Sequence, residues 1–229
     1  MKLAIVIPAY NEENAIKDVL LSLPTDIKGV KEIISIVVDD GSTDKTHKIA
    51  QKHACHAVRH VVNLGVGAAT TTGLEVAKKL KSDIVVTIDA DGQHNPADIE
   101  RIIQPILDHR SDVIIGTRMK NSQGMPILKI FGNNFMNFLT FLVFQKWSSD
   151  SQSGMKAFNS KALRKIQLNS VGYEICSEMI GEIKRNKLKL AEIPIEVIYT
   201  EYSKMKGQNW INGINVLTKM LVIKITGKQ

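Results

Sequence analysis

The sequence predicts an α/β domain in which a mostly parallel sheet is flanked by helices. Within residues 1–117, short apolar runs alternate with segments of helical periodicity, which is the pattern of successive βα units. The composition agrees, because 44% of the residues are hydrophobic and 23% are charged, as in ordinary globular proteins. A chain of 229 residues is long enough for one large domain with its own core, and we expect a single domain.

Each βα unit consists of an apolar run followed by an amphipathic segment. The apolar runs predict five strands, at residues 3–7, 33–38, 58–62, 84–88 and 113–115. The segments between them predict four helices, at residues 12–23, 43–54, 68–80 and 97–109. Because the carboxyl ends of parallel strands meet at one edge of the sheet, the loops that follow these strands should form one cleft.

The pattern changes after Arg118. Residues 125–147 are rich in Phe, Leu and Ile and carry few charges, which predicts one or two helices with a broad apolar face. Periodicity favours packing of this face on the core, and a position on a membrane surface is the alternative. A glycine turn at residues 150–154, a helix near residues 173–187 and a strand near residues 191–199 follow. Residues 209–224 have the pattern of a basic amphipathic helix.

Charge and cysteine content bear on partners and compartment. The formal charge of +7 fits an anionic partner, which could be nucleic acid, a phosphate-bearing substrate or an acidic membrane surface. Cys55 and Cys176 lack metal-ligand spacing and are expected to be reduced thiols in a cytoplasmic setting. The short run before Pro8 predicts no signal peptide, and neither residues 135–144 nor residues 214–225 are expected to span a bilayer.

The most informative segment is Asp89-Ala90-Asp91-Gly92-Gln93-His94, which follows the fourth predicted strand. Two carboxylates at this position suit a hard divalent cation, Mg²⁺ or Mn²⁺, if water and a substrate diphosphate complete its shell. The segment therefore indicates nucleotide-diphosphate chemistry. The alternative is that Asp-x-Asp-Gly is simply a turn before a helix that Pro96 opens.

Two other loops have ligand-binding potential. In Asp39-Asp40-Gly41-Ser42, a carboxylate could accept hydrogen bonds from a ribose or a base N–H, whereas a helix cap alone would need only Ser42 or Thr43. In residues 63–69, small residues before a helix suit close approach of a ligand to backbone N–H groups. As a dinucleotide fingerprint of a hydride-transfer enzyme this loop is incomplete, because Thr70 stands where the third glycine is needed.

Five motifs in order resemble those of family-2 glycosyltransferases, in particular polyprenyl-phosphate or dolichyl-phosphate sugar synthases. They are Pro8-Ala9-Tyr10-Asn11-Glu12, Val38-Asp39-Asp40-Gly41-Ser42-Thr43-Asp44, Asn63-x-Gly65-x-Gly67, Asp89-Ala90-Asp91-Gly92-Gln93-His94-x-Pro96 and Asp150-x-Gln152-x-Gly154. The resemblance covers about residues 3–200. It implies an A-type glycosyltransferase fold, a nucleotide-sugar donor, a divalent metal and inversion at the anomeric carbon.

The resemblance also implies a division of the single domain. Residues 1–118 would be the nucleotide-sugar-binding half, residues 119–208 the acceptor-side half, and residues 209–229 a C-terminal basic amphipathic helix. Donor-binding roles are implied for eleven positions: Pro8, Tyr10, Glu12, Asp39, Asp40, Gly67, Asp89, Ala90, Asp91, Ser203 and Lys204. The implied metal site is formed by Asp89, Asp91 and Gln93.

On the acceptor side, the resemblance implies that Arg118 binds a phosphate, with Lys129 as a second cation and Gln152 in the adjoining loop. The catalytic residues would be Asp91, Arg118 and Asp150. No glycine precedes Ser203-Lys204, although mannosyl-transferring relatives commonly have one. This absence favours UDP-hexose or UDP-N-acetylhexosamine over GDP-mannose.

The implied reaction moves a sugar to a polyprenyl or dolichyl phosphate at a membrane surface, with no role for nucleic acid. The protein is accordingly expected to bind the cytoplasmic face of a membrane peripherally, aided by Lys219, Lys224 and Lys228. Two alternatives remain open at this point. One is transfer to a glycan hydroxyl, with Asp150 as general base. The other is a non-catalytic module that binds a sugar nucleotide or a membrane.

Overall fold

The computed structural model describes residues 1–119 and 125–198, in which helices cover both faces of a seven-stranded sheet. The strands are β1 (Lys2–Ala9), β2 (Glu32–Asp39), β3 (His56–Arg59), β4 (Ile84–Thr87), β5 (Val113–Thr117), β6 (Lys156–Asn159) and β7 (Leu190–Pro194). The helices are α1 (Ile16–Leu21), α2 (Thr46–His53), α3 (Val66–Lys79), α4 (Asp98–Leu107), α5 (Ile127–Phe144), α6 (Ser160–Lys165) and α7 (Ile175–Arg185).

The strand order is β3-β2-β1-β4-β6-β5-β7. All neighbouring strands are parallel except β6, which runs antiparallel to both β4 and β5. The predicted α/β class with a mostly parallel sheet is therefore confirmed. Strands from both predicted halves of the chain lie in this one sheet.

Burial on both faces explains the apolar strands. Along β1, Leu3, Ile5 and Ile7 pack against one set of helices, whereas Ala4 and Val6 face the other set. The first layer contains α1 and α4, and the second contains α3, α6 and α7. A strand that is covered on both sides needs apolar residues at nearly every position, which is why these strands read as continuous apolar runs.

The predicted bounds of several elements need correction. The third strand was expected at residues 58–62, but its pairing with β2 ends where Asp39 lies opposite Arg59, and Val61 is 99% exposed. The strand expected at residues 191–199 is β7, Leu190–Pro194, and beyond it Val197 forms an isolated bridge with His94. Residues 199–229, which include Ser203, Lys204 and the predicted C-terminal helix, lie outside the described residues.

Strand β6 and helix α6 were not predicted. β6 has the sequence Lys-Ala-Phe-Asn. Its first residue, Lys156, is buried although it is charged in type, so the strand lacks the apolar run by which the other strands were recognised. The strand inserts between β4 and β5, so that Lys156 lies opposite Thr87 on one side and Ile115 on the other. As a result, the loop before β6 runs beside the carboxyl end of β4.

Helix α5 contradicts the expectation that residues 125–147 pack their apolar face on the core. Its buried residues are Asn137 and Thr140, whereas Phe131, Phe135 and Phe138 are 69%, 56% and 50% exposed. Asn137 Nδ2 donates to the Ser149 carbonyl at 2.7 Å, and the Thr140 hydroxyl lies 2.9 Å from that of Ser177. The polar face turns inward because buried backbone and hydroxyl groups there need hydrogen-bond partners.

Helix α5 is also longer than the apolar stretch recognised at residues 135–144. It has 18 residues with a mean hydropathy of 1.4, so by length and composition alone it is the one candidate membrane-spanning helix among the described residues. This finding revises the expectation that the apolar segment in this region is too short to span a bilayer.

Candidate active site

The loops that follow β1, β2 and β4 meet at one edge of the sheet. Ala9, at the end of β1, lies opposite Asp39 at the end of β2, and the Asp40 N–H donates to the Ala9 carbonyl at 2.8 Å. On the other side of β1, the Ile88 N–H donates to the Val6 carbonyl at 3.0 Å. Motifs that are separated by some 80 residues therefore line a common edge, as the parallel arrangement requires.

The predicted donor-binding residues differ in their exposure. Tyr10 is exposed, Pro8 is partly buried within β1, and Glu12 and Ala90 are buried. Tyr10 thus offers an accessible aromatic ring at the end of β1, which suits stacking with a base.

Asp39 is completely buried, and a basic side chain covers it. Its Oδ1 accepts the Ser42 N–H at 3.0 Å, and its Oδ2 lies 3.1 Å from Arg59 Nε and 3.5 Å from His47 Nδ1. Arg59 Nη2 also donates to the Ser42 carbonyl at 2.8 Å. A nucleoside at this edge would therefore meet the half-exposed Arg59 before it met Asp39.

Asp40 organises the neighbouring loop of residues 63–67, which we call the glycine loop. Its carboxylate accepts the N–H groups of Leu64 and Gly65 at 3.0 and 2.7 Å. His60 Nδ1 lies 2.7 Å from Asp40 Oδ1, and His60 Nε2 lies 2.9 Å from the Thr72 hydroxyl. In this structure Asp40 therefore orders residues 63–65, and its predicted role in donor binding stays untested.

The amides of the glycine loop are used differently from the prediction. The N–H groups of Gly67 and Ala68 both donate to the Val171 carbonyl, at 2.8 and 3.2 Å. A Cβ on Gly67 would overlap the Ser170 carbonyl and lie 2.7 Å from that of Gly172. The expectation that these N–H groups stay available to a ligand is therefore corrected. Glycine is needed here because residues 170–172 pack directly on the loop, and donor binding by Gly67 stays an untested prediction.

Asp89 and Asp91 lie just beyond β4. Burial, followed by the negative charge of Asp89, raises the pKa of the Asp91 carboxyl group above its ordinary value of 3.8, although hydrogen bonds from Gln93 act in the opposite direction. A buried carboxylate that lies beside a second carboxylate has lower energy when a cation lies between the two. The pair therefore has the electrostatics of a cation site.

Gln93 and His94 hold this pair in place. The Gln93 N–H donates to Asp91 Oδ1 at 3.0 Å, and its side-chain amide lies 2.5 Å from Asp91 Oδ2. The buried His94 accepts the Asp89 N–H on Nδ1 at 3.2 Å, which places the ring proton of the neutral imidazole on Nε2. Asp89 Oδ2 lies 3.6 Å from the same nitrogen, and we therefore assign no hydrogen bond between them.

The donor set fits a hard divalent cation that is only partly held by protein. Asp89 and Asp91 supply carboxylate oxygens, and the Gln93 amide oxygen would have to turn toward the ion to join them. Within the described residues, no group of three or more His, Cys, Asp or Glu side chains could hold a metal. A cation at this edge would thus depend on water and on a ligand diphosphate for the rest of its shell.

Arg118 and Asp150 form a close pair on the other side of the site. Asp150 is fully buried and accepts three hydrogen bonds from Arg118: from the backbone N–H at 2.9 Å, Nε at 2.8 Å and Nη2 at 2.7 Å. This bidentate contact fixes the guanidinium plane. The main role of Asp150 in this structure is therefore to orient Arg118.

The other acceptor-side predictions are placed less directly. The Gln152 side-chain amide donates to the Ser177 hydroxyl at 2.9 Å, which ties its loop to α7. Lys129 lies in the first turn of α5, and Arg118 follows β5. These two cations flank residues 120–124, which are outside the described residues.

Several residues of the site were missed by sequence reasoning. Arg59 and His60 reach Asp39 and Asp40 from the end of β3, and Glu192 of β7 accepts from Ser148 and twice from Ser149 at 2.6–2.8 Å. No local motif could have identified them, because each acts across 20 or more residues of chain. His94 was within a recognised motif, but its contact with the Asp89 backbone was not foreseen.

A mostly parallel sheet, paired carboxylates after its central strand β4, and an arginine after β5 that a buried aspartate orients are the features expected of an enzyme that acts on nucleotide-linked donors. The chain belongs to glycosyl transferase family 2, whose model matches residues 4–167. The predicted family is thereby confirmed.

Two curated proteins are similar to this chain over nearly its whole length. An uncharacterized protein of Methanocaldococcus jannaschii is 45% identical over 96% of this chain and 91% of its own length. The UDP-N-acetylglucosamine–dolichyl-phosphate N-acetylglucosaminyltransferase of Methanococcus voltae is 41% identical over 96% of this chain and 95% of its own length.

Solved structures agree on the fold. Glucosyl-3-phosphoglycerate synthase from Mycobacterium tuberculosis, crystallised with Mn²⁺ and UDP-glucose, superposes with a TM-score of 0.69 at 19% identity. The match covers 99% of this chain and 78% of that chain. At this identity the likeness establishes the A-type glycosyltransferase fold alone.

Proposed function

We propose that this protein is an inverting glycosyltransferase that moves a sugar from a nucleotide-sugar donor to a polyprenyl or dolichyl phosphate at a membrane surface. The observation that carries the proposal is the arrangement around residues 150–154. This loop begins at Asp150, which orients Arg118, and ends at Gly154, which touches Asp89. The residue proposed to bind the donor's cation and the residue proposed to bind the acceptor phosphate therefore contact the two ends of one short loop.

The proposed donor is a UDP-sugar, with UDP-N-acetylhexosamine or UDP-hexose preferred to GDP-mannose. Support comes from the relative named as a UDP-N-acetylglucosamine–dolichyl-phosphate transferase, with which this chain shares 41% of its residues. The absence of a glycine before Ser203 points the same way. Asp89, Asp91 and Gln93 would hold Mg²⁺ or Mn²⁺, which stabilises the negative charge of the departing diphosphate.

The proposed acceptor is a phosphate and not a hydroxyl group. A phosphate monoester has a second pKa of about 6, so at neutral pH it is already a nucleophile and needs no general base. Asp150 is buried and accepts three hydrogen bonds from Arg118, a geometry that suits orientation of a cation better than proton abstraction from a glycan. The alternative of transfer to a glycan hydroxyl is therefore less well supported.

The proposed reaction is a single displacement. An acceptor phosphate oxygen attacks the anomeric carbon, the bond from that carbon to the donor diphosphate breaks, and the nucleoside diphosphate leaves with the electron pair. Two anions must approach each other, so Arg118 would lower the barrier by neutralising the acceptor phosphate. Lys129 is proposed as a second cation in this role.

Helix α5 supports a membrane location for the acceptor. Its exposed side chains Leu128, Phe131, Phe135 and Phe138 recur at intervals of three and four residues, so they form one apolar stripe. Lys129 and Lys146 lie at the two ends of the helix and could face anionic head groups. Because its polar face bonds to the enzyme through Asn137 and Thr140, we propose that α5 lies in the bilayer interface and does not cross it.

The proposal is tested by measuring sugar transfer with a panel of nucleotide sugars and two acceptors, a short polyprenyl phosphate and a soluble oligosaccharide. We expect a glycosyl-phosphate lipid to form only with Mg²⁺ or Mn²⁺ present. Asp91→Ala should lower the rate by about 100-fold or more, since a group that stabilises transition-state charge is lost.

The matched control is Asp26→Ala, which removes an exposed carboxylate in the loop before β2 and should leave the rate unchanged. Transfer to the oligosaccharide alone would instead support the glycan-hydroxyl reaction. Nucleotide-sugar binding without transfer to either acceptor would support the non-catalytic alternative.

A further inference from the structure

Gly154 lies directly against the carboxylate of Asp89. A Cβ built on Gly154 would overlap both carboxylate oxygens of Asp89. The φ angle of Gly154 is not in the left-handed region, where the described glycines are Gly29, Gly41, Gly65 and Gly92. Glycine is therefore required here by space and not by backbone conformation.

The backbone of Gly154 is held firmly relative to β4, the strand that leads to Asp89. The Thr87 hydroxyl, at the end of β4, donates to the Gly154 carbonyl at 2.7 Å. On the next residue, the Met155 carbonyl accepts the Gly116 N–H of β5 at 2.9 Å. The surface that Asp89 touches is therefore rigid backbone, fixed to the strands on both sides.

The loop of residues 150–154 is also held by side chains of β6 and α5. The buried ammonium of Lys156 donates to the Ser153 carbonyl, and no carboxylate lies within ion-pair distance of it among the described residues. The Ser151 N–H and hydroxyl both bond to Asn137 Oδ1 at 2.8 Å. Side chains from β6 and α5 therefore hold the loop that leads to Gly154.

The carboxylate of Asp89 itself is less constrained than this surface. It is partly exposed and makes no hydrogen bond through its oxygens among the described residues. Contact with Gly154 is therefore the main restriction on where these oxygens point. A methyl group at position 154 would turn the carboxylate away, at small cost to the fold because the displaced group can move into solvent.

We propose that Gly154 is a positioning residue, which seats the Asp89 carboxylate in the orientation that binds the donor's divalent cation. The inference rests on the proposed role of Asp89 as a cation ligand. It assigns to the acceptor-side loop a function on the donor side of the reaction. Replacement of a group that orients a metal ligand typically lowers metal affinity by about 10- to 100-fold.

The test is Gly154→Ala, with Mn²⁺ binding in the presence of UDP measured by titration calorimetry. We expect affinity for Mn²⁺ to fall by about tenfold or more. The Mn²⁺ concentration for half-maximal transfer should rise by a similar factor, and excess Mn²⁺ should restore much of the rate. The KM for the polyprenyl phosphate should stay within about twofold, because Asp150 and Arg118 are unchanged. A loss that excess Mn²⁺ cannot restore, accompanied by a higher acceptor KM, would overturn the inference.

The matched control is Gly132→Ala, because nothing lies within 4 Å of a Cβ on Gly132. It should bind Mn²⁺ as the wild type does.

Asp89→Ala distinguishes the positioning role of Gly154 from the proposed cation site itself. If Asp89→Ala loses Mn²⁺ binding and Gly154→Ala does not, the positioning role is wrong while the proposed function stands. If Asp89→Ala also binds Mn²⁺ normally, the cation site itself is wrong and the positioning role falls with it.

A folding defect in Gly154→Ala can be resolved by the double variant Gly154→Ala/Asp89→Ala. Removal of the Asp89 carboxylate relieves the overlap, so the double variant should fold and unfold within about 3 °C of Asp89→Ala. If the double variant also fails to fold, the methyl group must collide with something other than Asp89, and the inference is overturned.

Discussion

At the scale of single residues, Arg118 and Asp150 act as one unit. The three hydrogen bonds between them measure 2.7–2.9 Å, and the carboxylate is fully buried. Removal of either partner changes the other: without Arg118 a charge is left buried, and without the Asp150 charge the guanidinium loses its orientation. Variants at these positions must therefore be compared with each other and not only with the wild type.

We predict that Asp150→Asn lowers transfer through the acceptor and does not abolish it. The amide can accept from only one side, so one charge-assisted hydrogen bond worth about 1.5–3 kcal/mol is weakened. A loss of that size corresponds to roughly a 10- to 100-fold lower kcat/KM for the polyprenyl phosphate. Arg118→Ala should be more damaging, because the cation itself is removed.

Arg118→Lys is the informative companion, since it keeps the charge and loses the bidentate geometry. UDP binding, measured by titration calorimetry, should stay within about twofold in all three variants if these residues serve the acceptor. Weaker UDP binding with an unchanged acceptor KM would show that the pair belongs to the donor side instead.

At the scale of secondary structure, Asp112 links the ends of β5, β6 and β7 that lie away from the candidate active site. Its carboxylate, just before β5, accepts the Lys189 N–H at 2.9 Å, Asn159 Nδ2 at 3.0 Å and Lys161 Nζ at 3.0 Å. Burial acts to raise the pKa of Asp112, but these hydrogen bonds and the Lys161 charge outweigh it and hold the pKa below 3.8. The charged carboxylate therefore stabilises the β5–β6–β7 region, which carries the acceptor-side loop.

We predict that Asp112→Asn lowers the free energy of unfolding by about 1–3 kcal/mol at pH 7. Because the pKa is lower in the folded state than in the unfolded state, the wild type has this extra stability in full above the unfolded-state pKa. The advantage is lost as the pH falls from that value through the lowered folded-state pKa. Urea denaturation of both proteins between pH 7 and pH 3 measures it.

The control for this series is Asp26→Asn, whose carboxylate is exposed and makes no hydrogen bond among the described residues. It should unfold as the wild type does at every pH. An Asp112→Asn deficit that grows as the pH is lowered would contradict the assignment.

At the scale of the whole molecule, the exposed apolar surface is concentrated on one helix, α5. The core is divided between the two faces of the sheet, whereas α5 presents a row of phenylalanines to the outside. The aromatic edge contact between Phe141 and Trp147, with ring centres 5.9 Å apart, continues this surface beyond the helix. Aromatic side chains are favoured at the membrane interface, where the acceptor phosphate would also lie.

We predict that the protein floats with anionic liposomes and that Phe131→Ser/Phe135→Ser/Phe138→Ser does not. Full burial of one phenylalanine in the membrane contributes roughly 1.5–3 kcal/mol, so loss of a single such contribution weakens vesicle binding about tenfold or more, and loss of three should abolish flotation. Transfer to a short, water-soluble polyprenyl phosphate should persist in the variant, since the site is unchanged.

Leu21→Ser is the matched control, because Leu21 is an exposed apolar residue at the end of α1 and lies outside α5. It should float like the wild type. Equal flotation of the triple variant would show that the membrane contact lies elsewhere, for which the basic residues 209–229 are the next candidate.

The sequence by itself determined the features that depend on neighbouring residues. Apolar runs and helical periodicity identified the five parallel strands and most helices. Burial of a strand, or of one face of a helix, produces a hydrophobic pattern that can be recognised in consecutive residues. The positions of Asp39, Asp89 and Asp91 at one edge followed from parallel topology alone. The motifs that we predict to bind the metal and the nucleoside could therefore be recognised before any fold was known.

Only the tertiary structure decided the features that depend on partners distant in the chain. Asp40 uses its carboxylate on amides 24 and 25 residues away, and Asp150 holds Arg118 across 32 residues. The apolar face of α5 points outward because its opposite face is buried, where Asn137 bonds to the backbone of Ser149 and Ser151. Buried backbone groups require such hydrogen-bond partners. The close contact of Gly154 with Asp89 arises in the same way, because the unpredicted strand β6 lies between β4 and β5 and brings the two residues together.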